Sequence, residues 1–117
     1  MAETVLIVDD HPSFRAAARL LLEAEGWTIV GDAPDGARAL EAAARLRPDL
    51  VLLDVGLPDL DGFDVAARLL ATADPPAVVL VSSRDARDYG PLVERSGARG
   101  FLPKADLSGA ALRGLLA

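Results

Sequence analysis

The chain has 117 residues, and its 12 Lys+Arg against 18 Asp+Glu leave a formal net charge of −6. That length bounds it to a single domain over residues 1–117 and excludes an eight-stranded βα barrel, which needs about 250 residues. Hydrophobic residues at 51% exclude a disordered chain, and the acidic balance argues against direct nucleic-acid binding through a basic face. Cysteine is absent and His11 is the single histidine, which excludes a disulfide framework, a thiolate zinc site, a cysteine nucleophile and any site with two His ligands. Glu3 and the Asp9–Asp10 pair interrupt the N-terminal stretch where a signal peptide would need an apolar run. No run approaches the about 18 apolar residues of a membrane span, so a cytoplasmic protein without a membrane partner is expected.

Short apolar runs alternate with helical patterns along the chain. Val5–Val8 reads as a first strand. Phe14, Ala17, Ala18, Leu21 and Leu22 then follow the helical spacing of one apolar face, with Ser13 as N-cap and Gly26 past the end. Thr28–Val30 is the second strand, and Asp35–Gly36 opens a helix that runs through Leu46 and stops before Pro48. Leu50–Leu53 is the third strand, and Asp61–Gly62 opens a helix with Phe63, Ala66, Leu69 and Leu70 inward. Ala77–Val81 is the fourth, followed by a helix over about Ala86 to Ser96 that Gly97 closes. A weaker run, Gly100–Leu102, is the fifth, and Ser108 caps a last helix with Ala111, Leu112 and Leu115 on one face.

Three of these runs are nearly continuous Val, Leu and Ile, as in parallel strands buried on both faces. Alternating βα units predict an α/β fold: an open five-stranded parallel sheet, doubly wound, with helices on both sides. Ligands of such sheets bind at the carboxyl ends of the strands, near the switch in strand order. There the first strand ends in Asp9 and Asp10, the third in Asp54, the fourth in Ser82 and Ser83, and Lys104 follows the fifth. Taken singly, each has an ordinary structural role as a turn residue, a helix cap or a solvated charge. Taken together, four independent strand ends supply three carboxylates, a hydroxyl and the only lysine among twelve basic residues.

Two carboxylates about 4 Å apart repel by roughly 1–4 kcal/mol at surface-like dielectric, so the cluster calls for a cation. Hard oxygen donors with open positions suit Mg²⁺, which one or two carboxylates hold while it keeps several waters. Mg²⁺ and Lys104 together bring +3 against the −3 of Asp9, Asp10 and Asp54, and a neutral site of this kind accepts a phosphoryl group. A carboxylate nucleophile then gives an acyl phosphate. Neither a G-x-x-x-x-G-K-[ST] loop nor G-x-G-x-x-G occurs, so the phosphoryl group must come from another molecule rather than a bound nucleotide.

VLIVDDHPSFR, LVLLDVGLPDLDG, VVLVSS and GARGFLPKADL, in this order and at these separations, resemble the receiver domain of two-component response regulators, the CheY-like family. The resemblance runs from Val5 to the end, and DDHP with LPKAD is most similar to receivers of the NarL/LuxR type. It implies a flavodoxin-like (βα)5 three-layer sandwich with strand order 2-1-3-4-5. Asp54 matches the phosphoacceptor. Asp9, Asp10, Asp54 and the backbone carbonyl of Gly56 match the ligands of Mg²⁺, or of Mn²⁺ in its place. Ser82 matches the switch hydroxyl, Lys104 the lysine that pairs with the phosphoryl group, and Phe101 the aromatic switch position. A sensor histidine kinase is the implied donor, and the domain catalyses only its own phosphorylation and dephosphorylation. The readout surface implied is the fourth helix, fifth strand and fifth helix. Further implied partners are a second copy of the chain and a helix-turn-helix output domain in a longer protein; no output domain is expected within these residues.

The sequence departs from the commonest family pattern at three positions. Ala105 stands where Pro often follows the lysine, Ser82 replaces Thr, and Phe101 replaces Tyr, so switching through position 101 relies on packing without a phenol. Arg84 flanks the site and Gly56 offers no side chain over it. Other readings fit less well. A haloacid-dehalogenase-type phosphatase carries a second Asp two residues after its nucleophile, where His11 follows Asp9, and its cap domain does not fit in this length. A flavodoxin needs a Ser/Thr/Gly-rich phosphate loop where DDHPSFR stands. The main alternative is a pseudo-receiver, a protein-interaction module that is never phosphorylated, although such modules usually lose some of the residues kept here.

Overall fold

The computed structural model describes residues 3–117. Its strands are β1 (Thr4–Val8), β2 (Thr28–Ala33), β3 (Leu50–Asp54), β4 (Ala77–Ser82) and β5 (Gly100–Pro103). The helices are α1 (Pro12–Ala24), α2 (Gly36–Leu46), α3 (Gly62–Leu70), α4 (Leu92–Arg95) and α5 (Gly109–Leu116). All strand pairs are parallel and the order is β2-β1-β3-β4-β5, so the chain switches direction at β1/β3, where a doubly wound sheet opens its crevice.

The continuous apolar strands follow from burial on both faces. Alternate side chains point to opposite sides. Leu6, Val8, Val51, Leu53, Val78 and Leu80 pack under α2 and α3 with Ala39, Val65, Ala66 and Leu69. Val5, Ile7, Leu50, Leu52, Val79 and Val81 pack under α1 and α5 with Ala18, Leu22 and Leu112. Each fully buried Val, Leu or Ile stabilises the fold by roughly 1.5–3 kcal/mol, and these two layers hold the strand ends in register. Among the described residues no helix is long and apolar enough to cross a membrane.

Several sequence expectations needed correction. The N-cap of α1 is His11 rather than Ser13. Pro12 occupies the first turn, where its fixed φ suits the helix and its missing N–H costs nothing. The inward face of α1 is narrower than its spacing suggested: Ala18 and Leu22 are buried, while Ala17 is exposed and Leu21 is 38% exposed. β2 extends past its apolar run to Ala33 because Gly31 and Asp32 keep pairing with β1 beyond an irregularity at Val5/Leu6. The helix expected over Ala86–Ser96 is interrupted. A single 3₁₀ turn covers Ala86–Asp88 and only Leu92–Arg95 are α-helical. Gly90, at φ +58, and Pro91 break it between them. The helices after Asp35, Asp61 and Ser108 start as expected, each with a side-chain oxygen accepting an N–H of the first turn.

The first turn of α2 has a second anchor. Asp59, in the loop after β3, accepts from Gly36 N at 2.7 Å, Ala37 N at 3.0 Å and Leu60 N at 2.9 Å. The Gly36 and Ala37 N–H bonds hold the Asp59 carboxyl below the usual range, as expected for a carboxylate on a helix N-terminus. A carboxyl with a lowered native pKa stabilises above its unfolded value, and the stabilisation is lost as pH falls through the native value. Asp59→Ala is therefore expected to lower the Tm near neutral pH and to approach the parent as pH falls well below the carboxylate range, checked by thermal melts against pH.

Candidate functional site

Strand register builds the site. Val8 pairs with Leu53, so Asp9 stands level with Asp54. Asp54 pairs with Val81 and Ser82 with Pro103, which brings Ser82 and Lys104 to the same rim. Asp9 is fully buried, and Asp54 and Ser82 are 4% exposed. The close approach of α3 to β3 depends on Gly62, where a Cβ would lie 2.6 Å from Val55 Cα and 2.7 Å from the Asp54 carbonyl oxygen. The glycine after Asp61 thus seats the loop that follows Asp54.

Lys104 Nζ lies 2.6 Å from Asp9 Oδ2 and 3.5 Å from Asp54 Oδ2, so the ammonium pairs more closely with Asp9 than with Asp54. It also sits 4.7 Å from the Phe14 ring centroid, a cation–π contact at the mouth of the site. Asp9 Oδ1 accepts from His11 N at 2.8 Å. Arg15 Nη1 donates to the Asp9 carbonyl at 2.6 Å, and its Nε lies 3.5 Å from Asp32; this brace was not read from the sequence. Asp54 Oδ1 accepts from Gly56 N at 3.1 Å.

Burial pushes the Asp54 carboxyl above the usual carboxylate range and Asp9 adds to the rise, while the Gly56 N–H and Lys104 oppose it.

Carboxylate oxygens of Asp9, Asp10 and Asp54 and a ring nitrogen of His11 lie within 4.8 Å of one another. The donor set fits a hard divalent cation, and one atom in particular asks for it. Asp10 Oδ1 is buried without a hydrogen-bond partner, facing His11 Nδ1 at 3.1 Å. The cluster can hold a cation and, beside it, an anion that Lys104 reaches.

On the far side of Asp54, Ser82 Oγ accepts from Arg84 N at 3.0 Å and lies 2.6 Å from the Tyr89 hydroxyl. The Tyr89 ring stands between Phe63, at 5.6 Å, and Phe101, at 5.8 Å between centroids. Phe101 thus touches Ser82's neighbourhood through Tyr89. The sequence reading overlooked this residue, although the chain's only tyrosine, placed just before the helix-breaking Gly90–Pro91, was a usable signal.

A parallel doubly wound sheet with a buried acidic cluster, a lysine and a hydroxyl at its switch point defines a receiver-type α/β domain, and comparison with known proteins agrees. Residues 5–112 match the family model of the response regulator receiver domain. A transcriptional regulator of Pseudomonas aeruginosa is 44% identical over 102 residues, 87% of this chain and 49% of that protein. The DNA-binding response regulator MtrA of Mycolicibacterium smegmatis is 40% identical over 106 residues, 89% of this chain and 45% of that protein. The signal receiver domain of NarL from Mycobacterium tuberculosis superposes with a TM-score of 0.86 at 35% identity, covering 99% of this chain and 98% of that one. The chain belongs to the response regulator receiver domain family and is CheY-like in fold. It spans about half the length of the curated relatives it matches.

The raised Asp54 carboxyl has a stability consequence. Its native pKa lies above the unfolded value, so the cost of ionising it appears as pH rises from the unfolded pKa to the native one, and persists above. Asp54→Asn is expected to raise the Tm of the metal-free protein at neutral pH, by roughly 4 °C for each kcal/mol relieved. The gain should shrink as pH falls below the ordinary Asp range; melts at both pH values check it.

Proposed function

We propose that residues 1–117 act as the receiver of a two-component system, taking a phosphoryl group from a histidine kinase's phosphohistidine onto Asp54. The observation that carries this reading is the single lysine held 2.6 Å from Asp9 and 3.5 Å from Asp54 in an otherwise acidic pocket. Asp9, Asp10, Asp54 and the Gly56 backbone carbonyl would hold Mg²⁺, or Mn²⁺ in its place. When bound, that cation supplies positive charge against the phosphoryl oxygens.

The chain's own residues do the rest. An Asp54 carboxylate oxygen attacks phosphorus in line. The O–P bond forms as the P–N bond to the donor imidazole breaks, and the imidazole nitrogen keeps the electron pair. Lys104, shared between Asp9 and Asp54, moves onto a phosphoryl oxygen. Its reach and compactness suit this: a point charge on a flexible stem shifts partner where a planar guanidinium would not. The phosphoryl group carries about −2 of charge and three acceptor oxygens, and Ser82 donates to one of them. Phe101 then repacks, and the segment around α4, β5 and α5 changes its surface, a population shift driven by a local charge event.

The chain acts on no separate substrate; it catalyses its own phosphorylation and dephosphorylation. A second copy of the chain and a helix-turn-helix output domain in a longer natural protein are the partners that would read the switch, with control of transcription as the outcome; the longer relatives, among them the DNA-binding MtrA, support this. Its place of action is the cytoplasm.

Incubation with Mg²⁺ and acetyl phosphate, followed by intact mass, tests the reading. A single phosphoryl adduct is expected, absent in Asp54→Asn and without Mg²⁺. No adduct with acetyl phosphate or phosphoramidate would instead support an interaction module that is never phosphorylated.

A further inference from the structure

Ser82 has one proton to donate and two lone pairs to accept with. One lone pair takes the Arg84 N–H at 3.0 Å. The other hydrogen bond of Ser82 is with the Tyr89 hydroxyl at 2.6 Å, in which either oxygen can be the donor. A phosphoryl oxygen is an acceptor, so turning the Ser82 hydroxyl toward it competes with the bond that holds that hydroxyl at Tyr89. Ser82 is 4% exposed, and water is poorly placed to take over either bond.

Tyr89 is held for this contact from three sides. Phe63 of α3 meets its ring edge-on, Phe101 of β5 lies tilted against it, and its backbone N–H closes the 3₁₀ turn on Ala86 O at 3.1 Å. Gly90, at φ +58, then turns the chain away at once. The broken fourth helix therefore coincides with the residue whose phenol reaches Ser82, while position 101, where the family pattern allows a phenol, carries Phe.

We infer that Tyr89 is a positioning residue that latches Ser82 in the unphosphorylated state and sets how readily the site accepts a phosphoryl group. The inference rests on Asp54 being the phosphoacceptor. When Ser82 turns to the phosphoryl oxygen, the phenol loses its partner, and the ring that touches both Phe63 and Phe101 is free to move with the segment that carries it. The latch thus ties the hydroxyl at the site to the aromatic pair beneath the β4–α4 connection.

Binding of beryllofluoride with Mg²⁺, followed by ¹⁹F NMR or calorimetry, measures the latch without turnover. Tyr89→Phe keeps the ring and removes the competing oxygen. It is expected to tighten beryllofluoride binding by roughly 2- to 10-fold, the range of one net hydrogen bond. The tightening should disappear in the Ser82→Ala background. Unchanged or weaker binding in Tyr89→Phe overturns the latch, as does equal tightening with and without Ser82, which would make it a packing effect. Wild-type binding that survives Asp54→Asn, or no wild-type binding, overturns the phosphoacceptor reading and the latch with it.

Discussion

The ammonium of Lys104, 2.6 Å from one buried carboxylate and 3.5 Å from another, is the contact on which the rest of the site depends. Asp9 and Asp54 stand level because β1 and β3 are in parallel register, and packed strands leave them nowhere else to go. Burial makes the Asp54 charge costly and the neighbouring Asp9 adds to that cost, so the Asp54 carboxyl is raised, first by burial and then by Asp9. Lys104 offsets part of it. Asp10, with a buried oxygen lacking a donor, shows that the compensation is incomplete within the chain itself. Asp9, Asp10, His11 and Asp54 thus form a group whose donor atoms lie close enough together to hold a cation.

What surrounds this contact is positioned by one close backbone approach and by side chains that tie neighbouring loops together. Gly62 lets α3 start against the carbonyl of Asp54. Asp59 ties the same loop to the first turn of α2, and Arg15 ties the β1–α1 loop to the end of β2. On the other side the chain is looser in design: a short 3₁₀ turn, Gly90, Pro91 and a four-residue helix connect Ser82 to β5. The Ser82–Tyr89 contact joins the end of β4 to this segment of short turns. Elements that move are drawn from the less stable parts of a fold.

Much of this was legible in the residues. Continuous Val/Leu/Ile runs gave away strands buried on both faces, and the acidic, hydroxyl and lysine residues at their ends located the rim, because parallel register carries sequence position directly into space. Caps with a clear side-chain signal, Asp35, Asp61 and Ser108, started their helices where expected. Ser13 did not, because the helix already begins at Pro12, one residue ahead of it. The fourth helix, expected over about Ala86 to Ser96 with Gly97 as its stop, is broken earlier by the Gly90–Pro91 pair within it. Tyr89, Asp59 and Arg15 act across 7, 23 and 6 residues. Contacts such as the 23-residue one from Asp59 to Gly36 depend on tertiary placement, which local pattern does not encode.

The central claim is that Asp54 sits as a costly, buried carboxylate awaiting positive charge. Titrating its side-chain carboxyl by ¹³C NMR, with and without Mg²⁺, tests this directly. The account predicts titration above the ordinary aspartate range in metal-free protein and a downward shift when Mg²⁺ is added. An ordinary titration that Mg²⁺ leaves in place would contradict it.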